Sequence, residues 1–246
     1  MRVALISDIH GNCVSLDVVL ADLEREQVDE LICLGDVATL GPQPREVISR
    51  LAELDCHFIT GNHETDVLDI EGLEQRQDTS QIVIEAVKWC RQQLSDQQLD
   101  FLRSFRPTLE LQLDGDVTLL CFHGSPKSNT DFILATTPPD ELDSFLAGSR
   151  ATILAGGHSH IPMLRRHHEM IIINPGSVGE PLEQMPFQGQ PHVFPWAEYA
   201  IINAHNGNVS VELCRVPVDL HAIRQASMSS TNPMNWADLW LSPNQL

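Results

Sequence analysis

The sequence predicts an α/β fold, and three observations support this prediction. In the first third of the chain, short apolar segments of strand length alternate with segments of helical periodicity. Residues 64–106 interrupt this alternation with a largely helical pattern, and from Pro107 onward apolar segments typical of strands dominate. Strand–helix–strand alternation with short connections favours a parallel sheet with right-handed crossovers.

The first third contains three expected strands and two expected helices. Pro44 suits the first turn of the second helix, where its missing N–H is not needed. The expected elements are a strand at 3–6, a helix at 16–26, a strand at 31–34, a helix at 44–51 and a strand at 57–59.

The middle segment is expected to be a helical insertion. Residues 65–80 are polar and acidic and are expected to form a loop, whereas 81–105 have the periodicity of two helices, the second capped by Ser95 and Asp96. An insertion directly after a candidate site residue is a natural position for a lid or a substrate-contacting element. Simple packing of these helices on the sheet edge explains the pattern equally well, and the sequence leaves both explanations open.

The second half is expected to be rich in β-structure. Asp114-Gly115 and Asn206-Gly207 are typical hairpin turns. The expected elements are strands at 109–113, 117–122, 151–155, 163–166, 170–173, 197–204 and 209–216, with a helix at 139–146.

The length of 246 residues suits either one large domain or a domain with a small appendage. We expect residues 1–216 to form this domain, with the insertion at 64–106. Residues 217–246 are expected to form a helical C-terminal tail, with a helix at 219–226 and a short amphipathic piece around Trp236.

The composition restricts the partners and the compartment. A net charge of −19 disfavours non-specific binding to nucleic acid or anionic membranes, because their phosphates are repelled. The six cysteines form no CxxC pair, the first residues lack the apolar core of a signal peptide, and no apolar run approaches the length of a membrane span. We therefore expect a cytoplasmic protein with reduced thiols and no membrane partner; its oligomeric state stays open.

Candidate functional residues follow five of the apolar strands. The carboxyl ends of parallel strands are where functional groups gather in open α/β sheets. Asp8 and His10 are two residues apart, so an extended backbone beyond the strand would project both to one side. The full set is Asp8, His10, Asp36, Asn62, His63, His123, His158 and His160.

The chemistry of this set indicates a metal centre. It combines carboxylate and amide oxygens with imidazole nitrogens and contains no thiolate, which suits Mn²⁺, Fe²⁺/³⁺, Zn²⁺, Ni²⁺ or Co²⁺. Even seven of these eight side chains are too many ligands for one ion, but they suit two ions that share a bridging carboxylate. The alternative is that these side chains only cap strand ends, which the ordered repetition of the pattern disfavours.

Taken in order, the motifs resemble those of the calcineurin-like metallophosphoesterases, and in detail their small bacterial and archaeal phosphodiesterase branch. The motifs begin at Asp8 (Asp-x-His-Gly-Asn), Gly35 (Gly-Asp-Val), Gly41 (Gly-Pro-Gln-Pro-Arg-Glu-Val), Gly61 (Gly-Asn-His-Glu), His123 (His-Gly-Ser-Pro), Gly157 (Gly-His-Ser-His) and Ile173 (Ile-Asn-Pro-Gly-Ser-Val-Gly). The resemblance covers about residues 1–216. It implies two mixed β-sheets packed as a sandwich and flanked by helices.

The resemblance also implies roles for the site residues. One ion would be held by Asp8, His10 and His160, and the other by Asn62, His123 and His158. Asp36 would bridge the two ions. His63 would not bind metal but would lie near the leaving group as electrophile or general acid, and Glu64 could raise the pKa of its imidazole if the two side chains approach.

The activity implied is hydrolysis of a small phosphodiester, or of a small phosphomonoester, by hydroxide generated at the two ions. The alternatives are a protein Ser/Thr phosphatase, a dinucleoside polyphosphate hydrolase and a non-catalytic metal-bound scaffold. Val37 and Ala38 stand where the phosphatases have Arg-Gly, and Glu180-Pro181-Leu182 lacks an arginine that relatives often carry. The missing cations disfavour a polyphosphate substrate.

Other polar residues have simpler interpretations. Asn12 either caps the following helix or touches substrate, and the cap is favoured. The histidines outside the motifs are expected to be surface or hydrogen-bonded polar residues; they are His57, His167, His168, His192, His205 and His221.

Overall fold

The fold consists of two mixed five-stranded sheets with helices on their outer faces. The computed structural model describes residues 1–77, 79–146, 148–182, 192–234 and 236–240. The first sheet contains β1 (Arg2–Ile6), β2 (Glu30–Cys33), β3 (His57–Phe58), β9 (Trp196–His205) and β10 (Asn208–Pro217), in the order β10-β9-β1-β2-β3. The second contains β4 (Leu109–Gln112), β5 (Thr118–Cys121), β6 (Ile153–Ala155), β7 (Met163–His167) and β8 (Met170–Asn174), in the order β4-β5-β6-β8-β7.

The two sheets pack against each other as a sandwich, which confirms the expected fold class. One buried cluster between them joins Val3 and Leu5 of the first sheet to Leu119, Ile153 and Ile173 of the second. Both sheets are parallel at their centres: β1 pairs with β2 and β2 with β3 in one, and β5 with β6 and β6 with β8 in the other. Each sheet therefore presents the carboxyl ends of three parallel strands at one edge.

Helices α1 (Cys13–Glu26) and α2 (Pro44–Leu51) cover the outer face of the first sheet. Asn12 caps α1 by accepting the N–H of Ser15 at 3.0 Å, so the cap interpretation is correct. The Asn12 amide also donates to the carbonyl of Gly179 at 3.0 Å, which ties the start of α1 to a distant loop. Pro44 is at the first position of α2, as expected.

The insertion contains four helices, so the expected loop at 65–80 is wrong. They are α3 (Asn62–Leu68), α4 (Ile70–Gln75), α5 (Gln81–Gln93) and α6 (Asp96–Arg103). The polar composition hid two short helices that begin at capping groups: Glu64 accepts the N–H of Gly61, and Asp69 accepts the N–H of Gly72. Ser95 caps α6, as expected.

The second half matches the expected strands within one or two residues, and α7 (Pro139–Leu146) covers the outer face of the second sheet. Leu142 and Leu146 of α7 pack on Leu154 and Ile172 of that sheet. Asn206 and Gly207 both have positive φ in the β9–β10 turn, as a tight Asn-Gly hairpin requires.

The described part of the C-terminal tail docks on the domain. It contains α8 (Leu220–Met228) and a 3₁₀ turn at Trp236–Leu239. Ile223, Trp236 and Trp240 form a buried cluster with Leu182 and Val193, while residues 241–246 lie outside the described part. Among the described residues, no helix has the length and apolar character to cross a membrane.

Candidate metal centre

The strand ends of both sheets bring all eight candidate residues to one place. β1 leads to Asp8 and His10, β2 to Asp36, and β3 to Asn62 and His63 at the start of α3. From the second sheet, β5 leads to His123, and β6 leads to His158 and His160. The roles that the sequence suggests for these residues remain predictions, but their convergence is a feature of the structure.

Asp8, His10 and His160 form the first group of potential ligands. His10 Nε2 lies 3.0 Å from His160 Nε2, and His160 Nε2 lies 3.5 Å from Asp8 Oδ1. The distance from His10 Nε2 to Asp8 Oδ1 is 3.9 Å. Three ligand atoms at these separations are compatible with one shared ion.

The second group is formed by Asn62, His123 and His158. His123 Nε2 lies 3.1 Å from Asn62 Oδ1, and the rings of His123 and His158 are 5.2 Å apart. His158 Nε2 is buried and has no hydrogen-bond partner among the described residues. A buried nitrogen of this kind fits a metal ligand, because an unpaired polar atom is otherwise costly.

Asp36 lies between the two groups of potential ligands. Its Oδ2 is 3.1 Å from His123 Nε2 and 3.9 Å from His10 Nε2. Its Oδ1 accepts the backbone N–H of His63 at 2.9 Å. One carboxylate oxygen is thus fixed by the start of α3, and the other faces both groups.

Backbone carbonyl groups orient two of the imidazoles. His123 Nδ1 donates to the carbonyl of Leu34, and His160 Nδ1 donates to the carbonyl of Glu180, each at 2.7 Å. Since a carbonyl only accepts, the Nδ1 proton is fixed and Nε2 faces the centre. This is the second-layer arrangement that holds metal-binding histidines in place.

The site carries a negative field that favours a cation. Burial by itself would lower the pKa of His123, but the Asp36 and Asp8 carboxylates outweigh burial and raise this pKa to about 10. Burial raises the pKa of Asp36, yet His123 and His63 reverse this effect and hold it well below its usual range. The carboxylates that favour the proton on His123 would also attract a divalent cation.

Burial shifts the pKa values of the other buried groups in different directions. Burial, followed by the His123 charge, lowers the pKa of His158 to about 3, and burial with the His160 charge lowers the pKa of His10 well below its usual value. Both imidazoles are therefore neutral at pH 7. Burial raises the pKa of Asp8, which His160 and His123 partly offset.

The backbone of the candidate ligands is unusual. Five of them have positive φ: Asp8 (54°), His10 (46°), Asp36 (56°), His158 (66°) and His160 (57°). The extended backbone expected at Asp8 and His10 is therefore wrong, because the chain turns sharply after β1 instead. Left-handed non-glycine residues cost on the order of 1–2 kcal/mol each, and such strain clusters at functional sites.

Two glycines permit the close approach of the loops. A Cβ atom on Gly61 would lie 2.1 Å from Asp36 Oδ1, and one on Gly157 would lie 2.0 Å from Ser7 Oγ and 2.7 Å from Asp8 Oδ2. Any larger residue would push the Asp36 or Asp8 carboxylate out of place.

Glu64 supports Asp36 and, within the described part of the chain, makes no hydrogen bond to His63. Its carboxylate accepts the backbone N–H groups of Asp36 (2.7 Å), Val37 (2.8 Å) and Gly61 (2.8 Å). Burial and the nearby Asp36 raise the pKa of Glu64 to about 7. The side chain links the loops after β2 and β3.

The Asn-Pro-Gly-Ser loop after β8 supports the opposite side of the centre. Asn174 donates to the carbonyl of Gly157 at 2.6 Å and to Ser159 Oγ at 3.0 Å, and Ser177 Oγ donates to the carbonyl of Asp8 at 2.7 Å. Sequence reasoning assigned no role to Asn174 and Ser177. The Ile-Asn-Pro-Gly-Ser-Val-Gly motif that contains both residues was the sequence feature that could have indicated a role for them.

Glu180 connects this loop to the C-terminal tail. Its side chain is buried and accepts the indole N–H of Trp236, while its carbonyl accepts His160 Nδ1. Glu180 therefore makes a structural contact on each side, to the tail and to His160.

A polar cavity of about 390 Å³ lies beside His123. Its lining includes Thr65, Ser125, Lys127 and Asn129. Asn129 donates to the carbonyl of Gly61 and to Thr65 Oγ1, each at 3.0 Å, which fixes the loop after β5 against α3. The segment from His123 to Asn129 thus contains a candidate ligand and part of the cavity wall.

The His63 side chain points toward the first group. Its ring lies edge-on to that of His10, with 5.0 Å between the centroids. Its Nδ1 is buried and has no hydrogen-bond partner among the described residues. His63 forms, with His10 and Asp36, a further group whose potential ligand atoms lie within 4.8 Å of one another, so the geometry also allows it to contact a cation.

The sandwich and the carboxylate, amide and imidazole groups at its strand ends are the features of a metallophosphoesterase. The model of the calcineurin-like phosphoesterase superfamily domain matches residues 1–192. The chain belongs to this superfamily, whose members use divalent metals. The resemblance seen in the sequence is thereby confirmed.

Individual relatives agree with this assignment. The uncharacterized protein MJ0912 of Methanocaldococcus jannaschii is 30% identical over 194 residues, which cover 73% of this chain and 76% of that protein. A metallophosphoesterase from Sphaerobacter thermophilus has 25% identity and a TM-score of 0.73, with 97% of each chain covered. The fold is also shared with the hypothetical protein PH1004 from Pyrococcus horikoshii OT3, at 20% identity, a TM-score of 0.79 and 96% of each chain covered.

Proposed function

We propose that this protein is a dinuclear metal-dependent phosphodiesterase that acts on small phosphodiesters. The observation that carries the proposal is the position of Asp36, whose free carboxylate oxygen lies 3.1 Å from one group of ligands and 3.9 Å from the other. A single buried carboxylate between two imidazole-rich groups is suited to hold two cations close together.

The residues divide into two ligand sets. Asp8, His10 and His160 would hold one ion, and Asn62, His123 and His158 would hold the other, with Asp36 available to both. The mixture of imidazole, carboxylate and amide ligands suits Mn²⁺, Fe²⁺/³⁺, Zn²⁺, Ni²⁺ or Co²⁺. When bound, two such ions lower the pKa of a water molecule toward neutrality and neutralise charge on phosphoryl oxygens.

His63 acts on the leaving group. Its imidazole lies next to the centre and is not needed to complete either ligand set. A protonated imidazole there delivers its proton to the departing ester oxygen, which removes the cost of releasing an alkoxide. The backbone N–H of His63 donates to Asp36 Oδ1, which holds His63, the proposed general acid, beside the metal centre.

The cavity beside His123 favours a diester over a monoester. A diester has a second organic group, and about 390 Å³ of space lined by hydroxyl, amide and amine groups can accept a small polar one. Val37, Ala38 and Glu180 supply no cation for further phosphates, so the proposed substrate has a single phosphoryl group.

A substrate panel with metal analysis tests the proposal. Protein stripped by chelation is reloaded separately with Mn²⁺, Ni²⁺, Co²⁺ or Zn²⁺ and assayed with bis-p-nitrophenyl phosphate, p-nitrophenyl phosphate, a phosphopeptide and a dinucleoside tetraphosphate. We expect two ions per chain and the highest kcat/KM for the diester. Two bound ions without turnover of any substrate would instead support a metal-bound scaffold and overturn the proposal.

A further inference from the structure

A second cluster of metal-binding side chains lies outside the candidate centre. His167 Nε2 is 2.7 Å and His168 Nε2 is 3.1 Å from the same oxygen, Oδ1 of Asp143. The three ligand atoms lie within 4.8 Å of one another. Asp143 belongs to α7, whereas the two histidines are at the end of β7 and in the following turn.

Adjacent residues of a strand normally point to opposite faces of the sheet. His167 pairs with Met170 across a two-residue turn, and His168 in that turn has a φ of 52°. This left-handed conformation brings the two rings to the same side, with centroids 4.2 Å apart. A positive φ is the normal conformation in a two-residue hairpin turn, and here it leaves both imidazoles facing one carboxylate.

The cluster is anchored on one side and open on the other. The His167 side chain is 6% exposed, while those of His168 and Asp143 are 66% and 54% exposed. The helix that carries Asp143 is fixed by Leu142 and Leu146, which are buried against the second sheet. An ion can reach such a cluster from solvent and retain water as a further ligand.

We propose that Asp143, His167 and His168 form a separate binding site for one borderline divalent cation, with Zn²⁺ the best match. Zinc accepts two imidazoles and one carboxylate at about 2.0–2.2 Å each, with water in the fourth position. Ligand atoms around one tetrahedral zinc are separated by about 3.4 Å. The observed 2.7 and 3.1 Å need only a small outward movement of the exposed side chains.

The ligand type separates this site from a Mg²⁺ or Ca²⁺ site, because two of three ligands are nitrogens. A cation bound at this site would link α7 to the β7–β8 hairpin. The loop after β5, which lines the cavity beside His123, is joined to the same helix, since Lys127 Nζ donates to the carbonyl of Ser144.

Equilibrium dialysis against fixed free Zn²⁺, followed by elemental analysis, tests the site in the full chain. We expect wild-type protein to bind one more zinc per chain than His168→Asn, which removes the imidazole and keeps a residue that tolerates positive φ. Asp143→Asn should show the same loss. His205→Ala is the matched control, because His205 is an exposed histidine near one carboxylate, Asp114, and should bind as wild type does.

A residue-level measurement complements the count. Zinc should protect His168 from modification by diethyl pyrocarbonate, read by mass spectrometry, while exposed His205 stays reactive. Equal zinc counts in wild type and His168→Asn, or no protection of His168, would overturn the proposal. A failure of the dinuclear centre would lower the count in both proteins and leave their difference of one ion, so the two failures are distinguishable.

Discussion

Oε2 of Glu64 accepts the backbone N–H of Asp36 at 2.7 Å, so a buried acid holds the residue that lies between the two ligand groups. The same carboxylate accepts N–H groups of Val37 and Gly61. Glu64 thus fixes the loops after β2 and β3 relative to each other. The position of the Asp36 carboxylate depends on these three hydrogen bonds.

Glu64→Gln is expected to weaken the hydrogen bonds that join the loops after β2 and β3. Glutamine keeps one acceptor oxygen but turns an NH₂ group toward a backbone N–H, so one buried donor is left unpaired at a cost of about 1–3 kcal/mol. We expect lower unfolding free energy and weaker binding of both ions, measured by urea denaturation and metal analysis. Glu110→Gln, at an exposed position of β4, is the control, and equal behaviour of the two variants would contradict the assigned role.

Asp36→Asn is expected to weaken the hold on both ions, because it removes the charge shared by the two groups. The amide oxygen can still accept the N–H of His63, while the NH₂ group meets His123 Nε2. Metal titration should show reduced affinity at both sites, with the fold retained by circular dichroism. Asp116→Asn, on an exposed surface, should titrate as wild type does. Loss of only one ion would show that Asp36 is not shared.

His63→Ala is expected to lower kcat roughly 10²–10⁴-fold while two ions stay bound. The loss should be largest for diesters with alkoxide leaving groups and smallest for p-nitrophenolate, which leaves without a proton. Plotting log kcat against leaving-group pKa for both proteins measures this difference. The same slope in both proteins would exclude a role as general acid.

The sequence was sufficient to predict the convergence of the site, because each candidate ligand lies within a few residues of the end of a strand. It was insufficient for the local geometry. Nothing in the spacing of Asp8 and His10 indicates positive φ, since left-handed turns at non-glycine residues are stabilised only by surrounding contacts.

Local helix caps explain one of the other differences, and a long-range contact explains the second. The polar segment 65–80 looks like a loop because its helices are short and depend on Glu64 and Asp69 at their starts. Asp143 and His167 are separated by 24 residues and meet only because α7 packs across the second sheet. Such contacts depend on how the layers pack, which periodicity does not encode.

The C-terminal tail contributes to the centre through Trp236, and Trp236→Phe tests this. The indole N–H of Trp236 donates to Glu180, whose carbonyl orients His160. Phenylalanine keeps most of the apolar packing but removes the donor, which leaves a buried carboxylate less satisfied and costs about 1–3 kcal/mol. We expect a lower midpoint of thermal unfolding and a selective loss of affinity for the ion assigned to Asp8, His10 and His160.

Trp240→Phe provides the matched control for this prediction. Trp240 belongs to the same buried cluster, but its indole nitrogen has no hydrogen-bond partner among the described residues. Its replacement should therefore leave metal affinity unchanged, measured by the same two-site titration. If both variants lose metal equally, the tail acts only through apolar packing. A loss confined to Trp236→Phe means that the contacts from Trp236 through Glu180 to His160 hold the first ligand group in place.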